Sequence, residues 1–310
     1  MSEPTQTRCG IVAVVGAPNA GKSTLVNLMV GTKVSIVTHK VQTTRARLRG
    51  VFQEGSSQIV LVDTPGIFAP RRKLDEAMVE AAWGGAKDAD EVLLLVDAPR
   101  HAESDKGGKA GQDTARIIEG LKSREQKAVL VLNKIDDVKR ELLLDLIARF
   151  TEADVFKETF LISAQTGEGV DAVKAYIAAQ MPEGPWLYPE DQPADVTERV
   201  FAAEVTREKL ILRLHEELPY ATTVETESWK DLKDGSVRIE QVVFVERDGQ
   251  KAIVLGKGGR TIKEIGQDAR KELEEMLDRK VHLFLFVKVR ERWAEDPERF
   301  RMMGLELPKG

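Results

Sequence analysis

The chain has 310 residues, 42% hydrophobic and 31% charged, with a formal net charge of -5. That length predicts two globular domains of about 100–200 residues each, and the charge balance excludes a chain coated in basic residues for bulk nucleic-acid or acidic-membrane binding. A single cysteine, Cys9, excludes an intramolecular disulfide, the polar start MSEPTQTR lacks the apolar core of a signal peptide, and no run approaches the ~20 apolar residues of a membrane span. A cytoplasmic protein, at most peripherally attached to a membrane, is the expectation.

Over the first 180 residues, short apolar runs alternate with longer amphipathic ones. Residues 10–15, 58–62, 91–96, 127–132 and 159–162 read as buried strands, Cys9 opening the first as a buried thiol. Residues 24–30, 74–83, 112–121, 138–150 and 170–180 read as helices, and the polar, glycine-rich stretch 100–111 reads as a flexible loop. Strand–helix alternation with continuously apolar strands predicts an α/β fold, a mostly parallel sheet with helices on both faces. Ligands then belong at the carboxyl ends of the strands, which is where the polar motifs fall.

After the first strand, Gly16, Ala17, Pro18, Asn19, Ala20, Gly21, Lys22 and Ser23 match G-x-x-x-x-G-K-[ST], with Thr24 opening the helix. Such a P-loop turns its N–H groups towards phosphate oxygens at a helix N-terminus. Lys22 reaches the β- and γ-phosphates and Ser23 ligates Mg²⁺ in this type of site. Asp63-Thr64-Pro65-Gly66 ends the second strand, with Asp63 expected near the Mg²⁺ and the Gly66 N–H at the γ-phosphate. Asn133-Lys134-Ile135-Asp136 ends the fourth strand. Guanine offers two adjacent N–H donors that the Asp136 carboxylate can accept, whereas adenine would leave that carboxylate desolvated and unpaired. Asn133 can brace the loop and Lys134 can lie across the base. Ser163-Ala164 closes the set, with the Ala164 N–H aimed at guanine O6.

This ordered set resembles the translation-factor-related GTPases. The resemblance implies that residues 32–49 form the first switch loop, and that Gln42-Thr43-Thr44-Arg45 carries its threonine. Thr44 is the expected Mg²⁺ ligand and Thr43 the fallback. Lys22, Thr44 and Gly66 are the expected catalytic groups. Ile67 stands where many GTPases place a water-orienting glutamine, and its side chain cannot do that. Related GTPases with a hydrophobic residue there use an asparagine such as Asn19 to help bind K⁺, which supplies positive charge; the alternative is that Asn19 only shapes the loop. The four histidines lack metal-ligand spacing.

Residues 182–193, PEGPWLYPEDQP, carry four prolines and read as a stiff connector, with Trp186 and Tyr188 either pinned to a domain or exposed to RNA. Beyond it come a helix over 197–218 capped by Thr197 or Asp195, strands at 222–228 and 236–246, a Gly256-Lys257-Gly258-Gly259 loop, a helix over 261–277 and a strand over 281–289. This order, with GKGG between two helices, resembles a type II KH domain, in which a GxxG loop lets the backbone of about four single-stranded nucleotides approach. GKGG is too short to wrap a triphosphate, and no serine or threonine follows its lysine. After Val196 there are 22 basic and 23 acidic residues, so the domain is not basic overall. Its positive charge is local, with Lys251, Lys257, Arg260, Lys263, Arg270 and Lys271 around the loop. Gly256, Lys257, Gly258, Gly259, Arg260 and Lys263 are the expected RNA contacts.

The domain reading is thus 1–182 GTPase, 183–195 linker and 196–310 KH domain. Together they resemble the Era family of bacterial ribosome-assembly GTPases. The resemblance implies GTP and GDP, Mg²⁺, the 3′ end of small-subunit ribosomal RNA and the small subunit as partners. It further implies a monomer, with loose inner-membrane association in some relatives. The rival readings are an interaction protein whose KH-like domain docks protein, and a GTPase of the other ribosomal subunit.

Overall fold

A computed structural model describes residues 6–41, 43–103, 108–215, 218–306 and 308. Gln42 of the switch motif, residues 104–107 of the expected loop and residues 216–217 of the expected long helix lie outside them. Two compact units emerge: Met1–Ser35, Thr44–Asp195 and Gly304–Gly310 form the first, and Ile36–Thr43 with Val196–Met303 the second.

The first unit runs β1 (Arg8–Gly16), α1 (Lys22–Val30), β2 (Leu48–Glu54), β3 (Ser57–Asp63), α2 (Lys73–Lys87), β4 (Glu91–Asp97), α3 (Ala98–Ala102), α4 (Gly108–Ser123), β5 (Ala128–Asn133), α5 (Arg140–Thr151), β6 (Phe156–Ile162) and α6 (Val170–Gln180). The sheet order is β2-β3-β1-β4-β5-β6. All neighbours are parallel except β2 and β3, which form an antiparallel hairpin. Because side chains alternate along a strand, Val12 and Val14 face a core with Leu25, Met29, Val173 and Ile177. Ala13 and Val15 face the opposite core with Ala82, Ile117, Leu121 and Leu146. Truncating one such leucine to alanine typically costs about 2–5 kcal/mol.

Two expectations change here, and the alternatives for the connector are narrowed to one. β2 falls at the end of the stretch read as the switch loop, so residues 48 and 49 are strand. The stretch read as a flexible loop is helical at both described ends: Asp97 accepts from the Arg100 N–H at 3.3 Å to cap α3, and α4 begins at Gly108. The connector lies along β2 and β3 within the first unit. Trp186 donates to the Ser56 carbonyl at 3.2 Å, Tyr188 N–H donates to Gln58 Oε1 at 3.0 Å, and Val51 N–H donates to the Pro193 carbonyl at 2.8 Å. The two aromatics pin the connector.

The second unit contains α7 (Glu198–Arg213), β7 (Thr223–Asp231), β8 (Val237–Val245), α8 (Asp248–Leu255), α9 (Arg260–Leu277), β9 (Val281–Val289) and α10 (Pro297–Met302). Thr197, not Asp195, caps α7, accepting from the Val200 N–H at 3.4 Å. The helix stops at Arg213, and a 3-10 turn, Leu218–Ala221, surrounds Pro219, whose ring disfavours helix in the residue before it. β8 pairs antiparallel with β7 and parallel with β9. A parallel pair needs a crossover, and α8 and α9 provide it. Ile265, Ala269 and Leu273 repeat at four-residue spacing on α9 and are its buried face. Trp293, fully buried, donates to the Ala221 carbonyl at 3.0 Å, and the Arg299 guanidinium lies 3.9 Å from the Phe244 ring centroid. These C-terminal elements, α10 included, were not expected.

Candidate nucleotide and nucleic-acid sites

Strand register assembles the first site. Gly16 pairs with Leu95, Asp97 with Asn133, and Asn133 with Ile162, so the ends of β1, β4, β5 and β6 form one rim. The P-loop turns off that rim into α1. Gly21 has φ 98°, and a Cβ there would sit 2.3 Å from Asn133 Nδ2, so both backbone and space require glycine. The buried Lys22 ammonium donates to the Gly16 and Ala17 carbonyls, each at 3.1 Å. Burial lowers its pKa to about 8, with the nearby Asp63 carboxylate pulling the other way. Ala17 and Ala20 are buried, while Pro18, Asn19 and Thr24 are half-buried.

Beside Lys22, Ser23 Oγ donates to Asp63 Oδ2 at 2.7 Å and lies 2.9 Å from Thr44 Oγ1, which reaches the same Oδ2 at 3.2 Å. Burial pushes the Asp63 carboxyl up, against Ser23, Lys22, Ser35 and Thr44, which favour the carboxylate. Its Oδ1 is buried and completes no hydrogen bond. Two hydroxyls and a carboxylate with a spare buried oxygen are the donor set of a hard divalent cation, so these residues fit Mg²⁺. Thr43, the fallback, bonds to Thr38 Oγ1 at 2.6 Å and donates to the Lys40 carbonyl at 2.8 Å. Thr44 is the threonine in the cluster.

Gly66 packs against the P-loop: a Cβ there would lie 2.9 Å from Pro18. Ile67 N–H donates to the Gly16 carbonyl at 3.1 Å and its side chain is fully buried in the core. Asn19 takes φ 66°, and its carbonyl accepts from Lys134 Nζ at 3.0 Å.

Asn133 braces the base end. Its Nδ2 donates to the Ala20 carbonyl at 2.8 Å and its Oδ1 accepts from the Ala164 N–H at 2.9 Å, tying the P-loop to the loop after β6. The Ala164 amide, expected to face guanine O6, is therefore engaged by Asn133. Ser163 is buried, its hydroxyl accepting from the Thr166 N–H at 3.1 Å. Lys134 pairs with Asp97 Oδ2 at 2.5 Å. Asp97 had no expected role here, its only sequence signal being its place at a strand end. Asp136 is exposed in the 3-10 turn Ile135–Asp137.

In the second unit, the GKGG loop bends through Gly256, Gly258 and Gly259, all with positive φ. A Cβ at Gly258 (φ 62°) or Gly259 would meet nothing within 4 Å, so both face open space. Lys257, Arg260 and Lys263 are exposed, and Arg260 pairs with Glu264 at 2.9 Å. Next to the loop, Ile262, Lys263, Gly266, Gln267 and Arg270 of α9 and Leu283, Phe284 and Leu285 of β9 line a groove of about 340 Å³. Gly266 permits this tight seat, since a Cβ there would lie 3.3 Å from the Leu285 side chain. Phe284 is 41% exposed, with the Arg238 guanidinium 4.5 Å from its ring centroid. The strand over 281–289 was expected, but not its place in the groove wall, which only tertiary packing beside α9 gives it, and Val254 is core.

Two family models match the chain, a 50S ribosome-binding GTPase over residues 11–134 and a KH domain over residues 217–294. GTPase Era of Brucella suis biovar 1 (strain 1330) is 61% identical over 307 residues, 99% of this chain and 96% of that protein. The chain belongs to the Era family of GTPases. GTPase Era of Rhizobium meliloti (strain 1021) is 62% identical over 98% of this chain and 94% of its own length. A crystal structure of Era in complex with MgGDPNP and nucleotides 1506–1542 of 16S ribosomal RNA matches with a TM-score of 0.88 at 37% identity, covering 96% of this chain and 99% of that one. The Era-family fold is therefore present in both units, a P-loop GTPase domain and a KH domain. Among the described residues, no helix is long and apolar enough to cross a membrane.

Proposed function

We propose that this chain hydrolyses GTP and binds the 3′ end of small-subunit ribosomal RNA through its KH domain, working as a monomer in the cytoplasm during maturation of the small subunit. One observation carries the reading: a P-loop braced by Asn133 to the base loop shares its chain with a GxxG loop beside an open, part-apolar groove. The solved Era complex holds both kinds of ligand at once, which supports the pairing.

In this reading the P-loop amides and Lys22 neutralise the phosphates, leaving the Gly16 and Ala17 carbonyls as the lysine exchanges them for phosphate oxygens. Ser23, Thr44 and Asp63 would hold Mg²⁺, which would supply positive charge beside the phosphate oxygens. Asp136 selects guanine. With Ile67 buried, no side chain at that position orients the attacking water. The Gly66 N–H and Lys22 add to the charge stabilisation, and a monovalent cation such as K⁺, if held near Asn19, would supply further positive charge. In the KH domain, Gly258 and Gly259 let the sugar–phosphate backbone come close, Lys257, Arg260 and Lys263 meet phosphates, and the α9–β9 groove takes bases.

The test pairs two ligands on one variant. Lys257→Asp combined with Gly258→Asp sets two carboxylates against the RNA backbone; at Gly258 the new side chain meets no neighbour within 4 Å, although the left-handed backbone (φ 62°) is strained for a non-glycine residue. Filter binding should show loss of rRNA 3′-end oligonucleotides with GTP affinity retained, and Lys257→Asp alone should lower the salt slope by about one. A variant that loses GTP and keeps RNA would overturn the assignment.

A further inference from the structure

Asp97 ends β4 opposite Asn133, its register partner on β5, and so stands next to the NKID turn. Its carboxylate is buried, and Oδ2 takes the Lys134 ammonium at 2.5 Å. The same ammonium donates to the Asn19 carbonyl at 3.0 Å. Two acceptors on different segments, one at the end of β4 and one in the P-loop, therefore hold the tip of Lys134. Its backbone lies in the left-handed region at φ 67°, a conformation that a non-glycine residue keeps only where its surroundings hold it. Adjacent P-loop carbonyls thus serve adjacent residues of the motif, Ala20 accepting from Asn133 and Asn19 from Lys134.

Neither packing nor helix capping accounts for the charge on Asp97. A buried ion pair is often no more stable than apolar residues of the same volume. Asp97 Oδ1 also caps α3, accepting from the Arg100 N–H at 3.3 Å, but asparagine caps a helix as well as aspartate does. Arg100 Nε lies 3.4 Å from Oδ2, yet its side chain is half-exposed, and a pair of that kind contributes little. Lys134 supplies the reason. A lysine side chain samples many rotamers, and ordering one on binding lowers affinity. Held at its tip by two protein groups, Lys134 does not depend on nucleotide to be ordered.

We infer that Asp97 is a positioning residue for nucleotide binding: it fixes the Lys134 ammonium beside the P-loop, so that the aliphatic stem is preset as the surface on which the base rests. This rests on Lys134 lying across the base. GTP and GDP share that base, so Asp97 should matter equally for both and should not change the chemical step.

The experiment uses the full chain in Mg²⁺ buffer and measures GTP and GDP affinities by calorimetry alongside KM and kcat. Asp97→Asn removes the charge and keeps a capping oxygen. It should weaken both nucleotides by about fivefold, the scale of ordering one long side chain, and raise KM by the same factor with kcat unchanged. Added to Lys134→Met, Asp97→Asn should produce no further loss, because it acts through Lys134. Arg100→Ala should leave both affinities at the wild-type value. Should Asp97→Asn lower the folded fraction in a thermal melt, Asp97→Ser, which also keeps a capping oxygen without the charge, makes the same comparison. Unchanged affinities, a fall in kcat in place of the rise in KM, a loss on Arg100→Ala equal to that on Asp97→Asn, or losses that add in full to those of Lys134→Met each overturn the inference while leaving the Asp136 reading intact. If Lys134→Met itself leaves both affinities unchanged, the reading of Lys134 fails and the inference fails with it.

Discussion

Lys22 makes nucleotide affinity depend on pH in a direction that the structure determines. In the free protein its ammonium is buried against two carbonyls and has a pKa of about 8. Phosphates arriving beside it favour the charged form and raise that pKa towards the ordinary lysine value, so binding takes up a proton wherever the free lysine has lost one. Affinity for GTP should be flat below about pH 7, fall about twofold by pH 8 and about tenfold by pH 9, since the free protein must first be reprotonated. Fold stability runs the other way. The unfolded chain holds its lysine proton to about pH 10.5 and the folded one only to about pH 8, so the contribution of this group to stability rises across that window. Titration calorimetry in buffers of different ionisation enthalpy would read the proton uptake directly. Lys22→Met binds more weakly and removes this titration, so the slope that remains belongs to guanine and to other groups. A wild-type slope equal to that of Lys22→Met, or no proton uptake near pH 8.5, would refute the reasoning.

Two further outcomes follow from the site. Asp136→Asn should move preference from GTP towards xanthosine triphosphate, whose edge offers a carbonyl where guanine offers an amine; competition binding with both nucleotides checks it, and unchanged GTP affinity without gain for the analogue counts against the base assignment. Hydrolysis should be faster in K⁺ than in Na⁺, and Asn19→Ala should abolish the difference; equal phosphate-release rates in the two salts would leave Asn19 as a residue that shapes the loop through its left-handed backbone.

What the sequence determined by itself was whatever depends on neighbours along the chain. Short runs rich in Val, Ile and Leu read as strands by length and β-branched content, so β1, β3, β4 and β5 were legible, as were the part-exposed β6 and β9. The P-loop, DTPG and NKID motifs were legible because phosphate, cation and guanine each demand particular residues at close spacing. β2 was not: its pattern LRGVFQE is not apolar throughout, and it is a strand because β3 offers it an antiparallel edge. Helix α3 needed the Asp97 cap, a contact no periodicity announces.

Tertiary structure alone decided which groups meet across the chain. Asn133 joins Ala20 to Ala164 over separations of 113 and 31 residues, and in doing so occupies the amide expected to face the base. Of two adjacent threonines, only Thr44 reaches Ser23 and Asp63, while Thr43 turns its carbonyl to Arg207, 164 residues away. Local pattern cannot encode such pairings. Side-chain direction and register set them, and both exist only once the strands and helices have packed.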